Sequence, residues 1–380
     1  MELIILQHPG GSASIGHMTP GDLHAVTRRT LLTGLAGAPL VPAARRGKPN
    51  IVILLADDLG WNDVGFHGSE IKTPALDRLA ARGVVFDRCY SFPVCSPTRA
   101  ALLTGRSPLR MGIDRPIEMK NGLPVSERLM PQYLKDAGYQ TMMAGKWHLG
   151  LEHVKYFPSR RGFDQSYGHL GPAVGYNTHI WAGGLDWHRN GKTLEEPGYT
   201  TDLIAAEAIR MLRERQKAKP VFLYVAFNAP HVPLDAPPDR IAQYAHISDP
   251  SRRTYAAMVT AMDAAIQRIL DTLETEEMAE NTIVLWFSDN GGATRGGASN
   301  KPLRMTKATA FEGGIRVPAA ACWPGVLTGG RKITGQVTAM DWLPTLAEAA
   351  GVPLKTSLPL DGQSMWPAIR HGKHVSRKPA

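Results

Sequence analysis

Three short stretches of the chain gather residue types that could do chemistry together. Asp57-Asp58 sets two carboxylates side by side directly after an apolar run, Ile51–Leu55. Adjacent carboxylates repel each other, and a cation between them relieves the repulsion; a turn or capping pair is the plainer reading of the dipeptide alone. Ser288-Asp289-Asn290-Gly291-Gly292 follows a second apolar run, Thr282–Phe287. It combines hard oxygen donors with glycines that let the backbone turn sharply. Asp-Asn-Gly alone is a common turn, but two such clusters at the ends of two strands favour a hard divalent cation, Ca2+ or Mg2+, more than either does alone. The third stretch is Cys95-Ser96-Pro97-Thr98-Arg99, which runs into Ala100-Ala101-Leu102-Leu103. Pro97 and the Ala/Leu run put Cys95 at the N-terminus of a helix, where the free N–H groups and the helix dipole favour an anion. Arg99, one turn on, reaches the same spot. An activated thiolate and a buried structural cysteine are the alternatives for Cys95.

These clusters need elements to hold them. Ile51–Leu55 is continuous, apolar and rich in β-branched residues, which predicts a strand buried on both faces. Similar runs predict strands at Val84–Phe86, Thr141–Ala144, Val221–Phe227, Thr282–Phe287 and Val317–Cys322. Thr73-Pro74 opens a helix with Thr73 as N-cap and proline at the first helical position. Further helices are expected at Thr201–Arg215, Arg253–Leu273 and Asp341–Ala350; in the second, Met258, Met262, Ile266, Ile269 and Leu270 recur at helical spacing, a packing pattern. Strand–helix alternation predicts an α/β fold with a large, mostly parallel sheet flanked by helices. In such sheets chemistry gathers at the carboxyl ends of the strands, where all the acidic clusters lie.

Composition narrows the class. The chain has 380 residues, 43% hydrophobic and 20% charged, which excludes a disordered chain. Of the formal net charge of +9, residues 1–46 carry +2 and residues 370–380 carry +4, leaving only +3 on the body. No clustered basic face for nucleic acid is predicted. Cys89, Cys95 and Cys322 form no Cys-x-x-Cys pair, so no structural zinc site is expected. Thr27-Arg28-Arg29-Thr30-Leu31-Leu32 is a twin-arginine pattern, followed by a Gly/Ala-rich apolar run from Leu31 to Ala44 that ends in small residues. Residues 1–46 thus read as an export leader, with Met18 as a candidate true start, and the mature protein as periplasmic or secreted. That run is too short and too broken by Gly and Pro to span a bilayer, and no later segment has the length.

The Cys-x-Pro-x-Arg pattern of Cys95–Arg99, continued by Leu102, Thr104, Gly105 and Arg106, resembles the signature of the type I sulfatases. Leu55-Ala56-Asp57-Asp58-Leu59-Gly60 resembles that family's first metal strand, and Gly145-Lys146-Trp147-His148-Leu149-Gly150 its second signature. Ser288–Gly292 resembles its second metal loop, and Lys307, five residues before Glu312-Gly313-Gly314, its last substrate lysine. The resemblance runs from about Asn50 to Trp366. Gly60–Gly68, Arg160–Asp164 and Pro302-Leu303-Arg304 resemble the arylsulfatase B, or N-acetylgalactosamine-4-sulfatase, branch, and the leader pattern implies a bacterial member.

The resemblance implies an alkaline phosphatase-like fold and a sulfuric ester hydrolase acting on a sulfated sugar or an aryl sulfate. It implies that a formylglycine-generating enzyme oxidises Cys95 and that the hydrated aldehyde attacks sulfur, giving a covalent sulfo-enzyme. The metal set would be Asp57, Asp58, Asp289, Asn290 and the modified Cys95. Lys146 and Lys307 would neutralise the sulfate oxygens, and Arg99 would hold the nucleophile's second hydroxyl. His148 would act as base when sulfate is eliminated, and His231 would serve the leaving group with Lys307. Thr178 would replace a family serine that contacts sulfate, and Glu312 would brace its loop. Trp61, Trp181 and Trp187 each read as packing residues before they read, with His188, as a sugar subsite. One departure stands out. The family continues past Asp361-Gly362 into a smaller subdomain, whereas here the catalytic domain is expected at residues 47–369, with a basic tail at 370–380 and the C-terminal subdomain truncated. A phosphodiesterase or phosphonate hydrolase of the same superfamily and a non-catalytic binder of sulfated glycans are the competing readings.

Overall fold

A computed structural model of the chain describes residues 47–377. The expected leader at 1–46 and the last residues of the basic tail, 378–380, lie outside the described residues. The main sheet has ten strands. In chain order they are β1 (Asn50–Ala56), β2 (Val84–Phe86), β3 (Gln140–Gly145), β4 (Gln165–Gly168), β5 (His188–Arg189), β6 (Lys192–Thr193), β7 (Val221–Ala226), β8 (Thr282–Ser288), β9 (Ala319–Cys322) and β10 (Arg331–Ile333). The helices that matter for the site are α1 (Pro74–Arg82), α2 (Cys95–Thr104), α3 (Thr200–Arg213), α4 (Pro250–Thr275) and α5 (Trp342–Ala349).

Spatially the strands run β10-β2-β9-β8-β1-β7-β3-β4-β5-β6. The central block β8-β1-β7-β3-β4 is parallel throughout. The flanks are mixed: β9 runs antiparallel to β8 and to β2, and β5 antiparallel to β4 and β6. The expectation of a mostly parallel sheet therefore holds, and antiparallel pairs are confined to the flanks. Strands β5 and β6 are joined by a short turn, which pairs them antiparallel, whereas the edge strand β10 lies parallel to β2.

Burial explains why β1 reads as an unbroken apolar run. Ile51, Ile53 and Leu55 enter a core on one face with Leu102, Leu103, Trp342 and Leu346 of α2 and α5. Val52, Leu54 and Ala56 enter a second core on the other face with Leu76 and Leu79 of α1, Ile204 of α3, and Met258 and Met262 of α4. Side chains alternate between faces, and both faces are covered, so no polar position interrupts the strand. The methionine pattern of α4 is core packing, as expected. Strand β9 starts two residues later than its apolar run because Pro318 has no N–H to donate to a ladder. Helix α4 starts earlier than its periodicity suggested. Asp249 caps it through the Ser251 N–H at 2.9 Å, and Pro250 stands at its first position.

Helix α1 shows a tertiary partner overriding a local one. Thr73 occupies the N-cap position, but its hydroxyl accepts from Gly65 N at 2.7 Å and donates to Asp77 Oδ1 at 3.2 Å. The free N–H groups of Ala75 and Leu76 donate instead to Asp263 Oδ2 and Oδ1, at 3.0 and 2.9 Å, from the buried side of α4. The cap predicted for Thr73 is thus supplied from another helix, and α1 is tied to α4 by it. Replacing Asp263 with Ala leaves two buried donors unpaired and is expected to cost about 2 kcal/mol, read by chemical denaturation. Unchanged stability would show that α1 does not depend on this cap.

Candidate active site

Four adjacent parallel strands, β8, β1, β7 and β3, end on the same side of the sheet. Their carboxyl ends deliver Asp289-Asn290, Asp57-Asp58, Asn228–His231 and Lys146–His148 side by side. The backbone bends sharply to do so. Asp58 and His148 both adopt left-handed φ values, 66° and 54°, which L-residues seldom hold without strong support from their surroundings. That support is visible: Asp57 N donates to Ala229 O at 3.1 Å, Trp147 N to His169 O at 2.9 Å and His148 N to Leu170 O at 3.1 Å.

Helix α2 enters from the first face of the sheet with Cys95 as its first residue, as the sequence predicted. All of its residues are buried, and Cys95 is only 2% exposed. Its Sγ lies 3.2 Å from His148 Nδ1. Ser96, which the sequence analysis passed over, locks this pairing. Its hydroxyl donates to His148 O at 2.9 Å and accepts from Ile117 N at 2.9 Å. Arg99 donates through Nε and Nη2 to Asp289 Oδ2, at 3.0 and 2.8 Å, and through Nη1 to Lys146 O at 2.9 Å. Its guanidinium thus ties the acidic cluster to the β3 loop beside Cys95.

The charges balance. Lys146 Nζ lies 2.5 Å from Asp57 Oδ2, and Lys307 Nζ lies 2.6 Å from Asp58 Oδ1. Asn290 Nδ2 donates to Asp58 Oδ1 at 2.8 Å. Asp57, Asp58 and Asp289 thus face Arg99, Lys146 and Lys307, and all but Lys307 are buried. Burial works against the ionised form of Asp57, yet Lys146, His231, Arg99 and Lys307 hold it well below the usual carboxylate range. Asp289 is pushed up to about 7 by burial and by the charge of Asp57, with Arg99 pulling it back. Burial would lower Lys307, but Asp58 and Asp57 raise it, so it stays charged. Burial, helped by Lys146 and Arg99, lowers His148 well below the ordinary histidine value and keeps it neutral. Burial likewise raises the Cys95 thiol, so no thiolate is stabilised there. An activated-thiolate mechanism is not supported.

The donor set fits a hard cation. Asp57 Oδ1 and Asn290 Oδ1 are buried with no hydrogen-bond partner, and buried acceptors of that kind are costly unless something binds them. Asp57, Asp58 and His231 can each bring one ligand atom within 4.8 Å of the others. His231 Nδ1 lies 2.6 Å from Val232 O, so Nδ1 carries the proton and Nε2, 3.6 Å from Asp58 Oδ2, presents its lone pair to the cluster. Oxygen donors from carboxylates and an amide suit Ca2+ or Mg2+.

Ten of the residues singled out in the sequence fall in this cluster: Asp57, Asp58, Cys95, Arg99, Lys146, His148, His231, Asp289, Asn290 and Lys307. Thr178 does not join it among the described residues. It is exposed, and its hydroxyl accepts the Ile180 N–H of its own loop at 3.4 Å. Glu312 braces its loop as expected, accepting from Tyr90 Oη at 2.9 Å and from Arg316 Nη1 at 3.1 Å. Trp187 is fully buried, with the His179 ring stacked on it at 4.6 Å and the His169 ring near-parallel to it at 6.3 Å. Asn300 was missed. Its amide closes the Ser288–Gly292 loop by accepting from Gly292 N at 2.9 Å and donating to Gly292 O at 2.8 Å. No motif marks such a residue, because its partners are backbone atoms.

Residues 49–352 match the family model described as Sulfatase. The chain is 37% identical over 350 residues to arylsulfatase J of Mus musculus, covering 89% of this chain and 58% of that protein. It is 36% identical over 375 residues to N-acetylgalactosamine-6-sulfatase of Homo sapiens, covering 90% of this chain and 69% of that protein. Among solved structures it resembles Ps i-CgsB in complex with k-i-k-neocarrahexaose, with a TM-score of 0.81 and 36% identity over 84% of this chain and 76% of that one. The sulfatase PsFucS1 from Pseudoalteromonas sp. follows at a TM-score of 0.74 and 26% identity, covering 87% of this chain and 74% of that one.

Beside the cluster, His169 carries the loop that receives Trp147, and both of its ring nitrogens are buried without a partner. Burial pushes its pKa down to about 3, against the opposing pull of Asp186. The unfolded chain binds this proton near the ordinary value of about 6.5 and the folded chain does not. The contribution to stability is therefore complete above about pH 6.5 and is lost as the pH falls toward 3. His169→Phe, which keeps the stack on Trp187, is expected to lose about 1–2 kcal/mol less than the parent between pH 7 and 5 in denaturant titrations. Equal losses would contradict it.

Proposed function

The chain belongs to the sulfatase family, and we propose that it hydrolyses sulfate monoesters of a sulfated sugar or an aryl alcohol. The observation that carries this reading is the joining of Cys95 to a balanced cluster of three carboxylates and three cations at four neighbouring strand ends. A cysteine at that point with a raised thiol pKa is poorly suited to act as itself. Oxidised to formylglycine by a dedicated maturation enzyme, it would supply a hydrated aldehyde whose hydroxyl attacks sulfur.

Asp57, Asp58, Asp289 and Asn290 would hold a divalent cation, which we read as Ca2+, with Mg2+ as the alternative. Such an ion supplies Lewis-acid stabilisation of a sulfate oxygen and lowers the pKa of a bound hydroxyl. The chain's own groups do the rest. Lys146 and Lys307 stand where the oxygens of a monoanionic ester need positive charge, and they face those oxygens from fixed positions. Arg99 orients Asp289 and the β3 loop. His148, held neutral and 3.2 Å from the atom at position 95, can take a proton there when sulfate is released. His231, with its Nε2 directed at the cluster, stands with Lys307 on the leaving-group side. The names of the relatives support sulfated sugars and aryl sulfates as the substrate class. Among the described residues no helix is long and apolar enough to cross a membrane; the twin-arginine pattern supports export to the periplasm or beyond.

The paired test is hydrolysis of the sulfate and the phosphate ester of one alcohol by protein matured in its own host. Faster sulfate cleavage is expected, lost on chelation and restored by Ca2+. Cys95→Ala should fall to background, and Lys307→Ala should lose about 10²–10³-fold in kcat. Faster phosphate cleavage, or undiminished turnover by Cys95→Ala, would overturn the reading.

A further inference from the structure

The turn that carries Asp57 and Asp58 is pinned N–H by N–H. Asp57 N donates to Ala229 O at 3.1 Å, Asp58 N to Asp289 Oδ1 at 3.3 Å and Leu59 N to Ser288 Oγ at 3.0 Å. These acceptors all belong to the strand ends that form the site. The next N–H, that of Gly60, goes elsewhere: it donates to Tyr255 Oη at 3.1 Å, from the long helix α4.

The same hydroxyl lies 3.3 Å from Asp58 O and 2.9 Å from Asp63 Oδ2. It accepts from Gly60 N–H and gives its one hydrogen chiefly to the Asp63 carboxylate, with Asp58 O the longer, shared acceptor. Asp63 is itself fixed, accepting from Arg252 Nη1 at 2.6 Å and from Ser299 N at 2.8 Å. The turn has no room to move outward, since a Cβ on Gly60 would lie 2.3 Å from Asp63 Oδ2 and 2.4 Å from Ser299 O. Tyr255 is fully enclosed, so no water would replace its hydroxyl.

We propose that the Tyr255 hydroxyl is a positioning group for the cation site, clamping the Asp57–Gly60 turn so that the Asp58 carboxylate is held beside those of Asp57 and Asp289. The inference rests on the cation reading given above. Without the hydroxyl, the Gly60 N–H and the Asp63 carboxylate lose a partner in a buried environment, Asp58 O loses its longer contact, and the bridge that ties the turn to Asp63 is gone. Groups that orient ligands in this way commonly govern affinity by about 10–100-fold.

The test is Ca2+ titration calorimetry on the whole chain, its Tyr255→Phe variant and a control, Tyr244→Phe. Tyr244 is another buried tyrosine, whose hydroxyl accepts from Lys72 N at 2.8 Å and pairs with Thr260, away from the cluster. Both variants lose a buried hydroxyl, so both should melt at a lower temperature without Ca2+. Only Tyr255→Phe should bind Ca2+ more weakly, by about tenfold or more. Equal Ca2+ affinity in Tyr255→Phe and the parent, or equal weakening in both variants, would overturn the role of Tyr255 alone. No Ca2+ binding by the parent would overturn the cation reading and this inference with it.

Discussion

Three carboxylates confined in a volume that excludes water cannot all stay ionised unless something positive stands among them. That constraint organises the site. Asp57, Asp58 and Asp289 come from neighbouring strand ends, and Arg99, Lys146 and Lys307 come from a helix start, a third strand end and a long loop. In a low-dielectric site each of these contacts is strong, and each is expensive to break on one side only. The cluster therefore welds together elements far apart in sequence. A divalent cation added to the six side-chain charges would leave a net positive centre, suited to an anionic ester.

The same constraint explains the local backbone. Left-handed φ values at Asp58 and His148 are costly, and they occur where the chain must turn a side chain back across a strand end. Ser96 and Tyr255 bond backbone atoms at these turns, and Asn300 bonds those of the Ser288–Gly292 loop. Their hydroxyl and amide groups stiffen the site without touching a reacting atom, which is how a rigid scaffold places charge within fractions of an ångström.

Much of this was legible in the sequence for a physical reason. A strand buried on both faces must be apolar throughout, so Ile51–Leu55 and Thr282–Phe287 announced themselves, and acidic residues directly after them could only sit at strand ends. The Cys95 helix start was equally plain from Pro97 and the Ala/Leu run. What escaped notice was set by tertiary partners. The cap of α1 comes from Asp263, not from Thr73, and Thr178 stays in its own loop. The antiparallel edges of the sheet likewise depend on how short strands return, which an apolar run does not encode. The N-terminal leader pattern lies outside the described residues.

Everything chemical in this account converges on the atom borne by residue 95. Mass analysis of the peptide spanning Cys95, taken from protein matured in its own host, tests it most directly. The account predicts a residue in which the thiol sulfur has been replaced by a carbonyl oxygen with loss of two hydrogens, trapped by a carbonyl reagent. An unmodified cysteine in protein that still cleaves sulfate esters would contradict it.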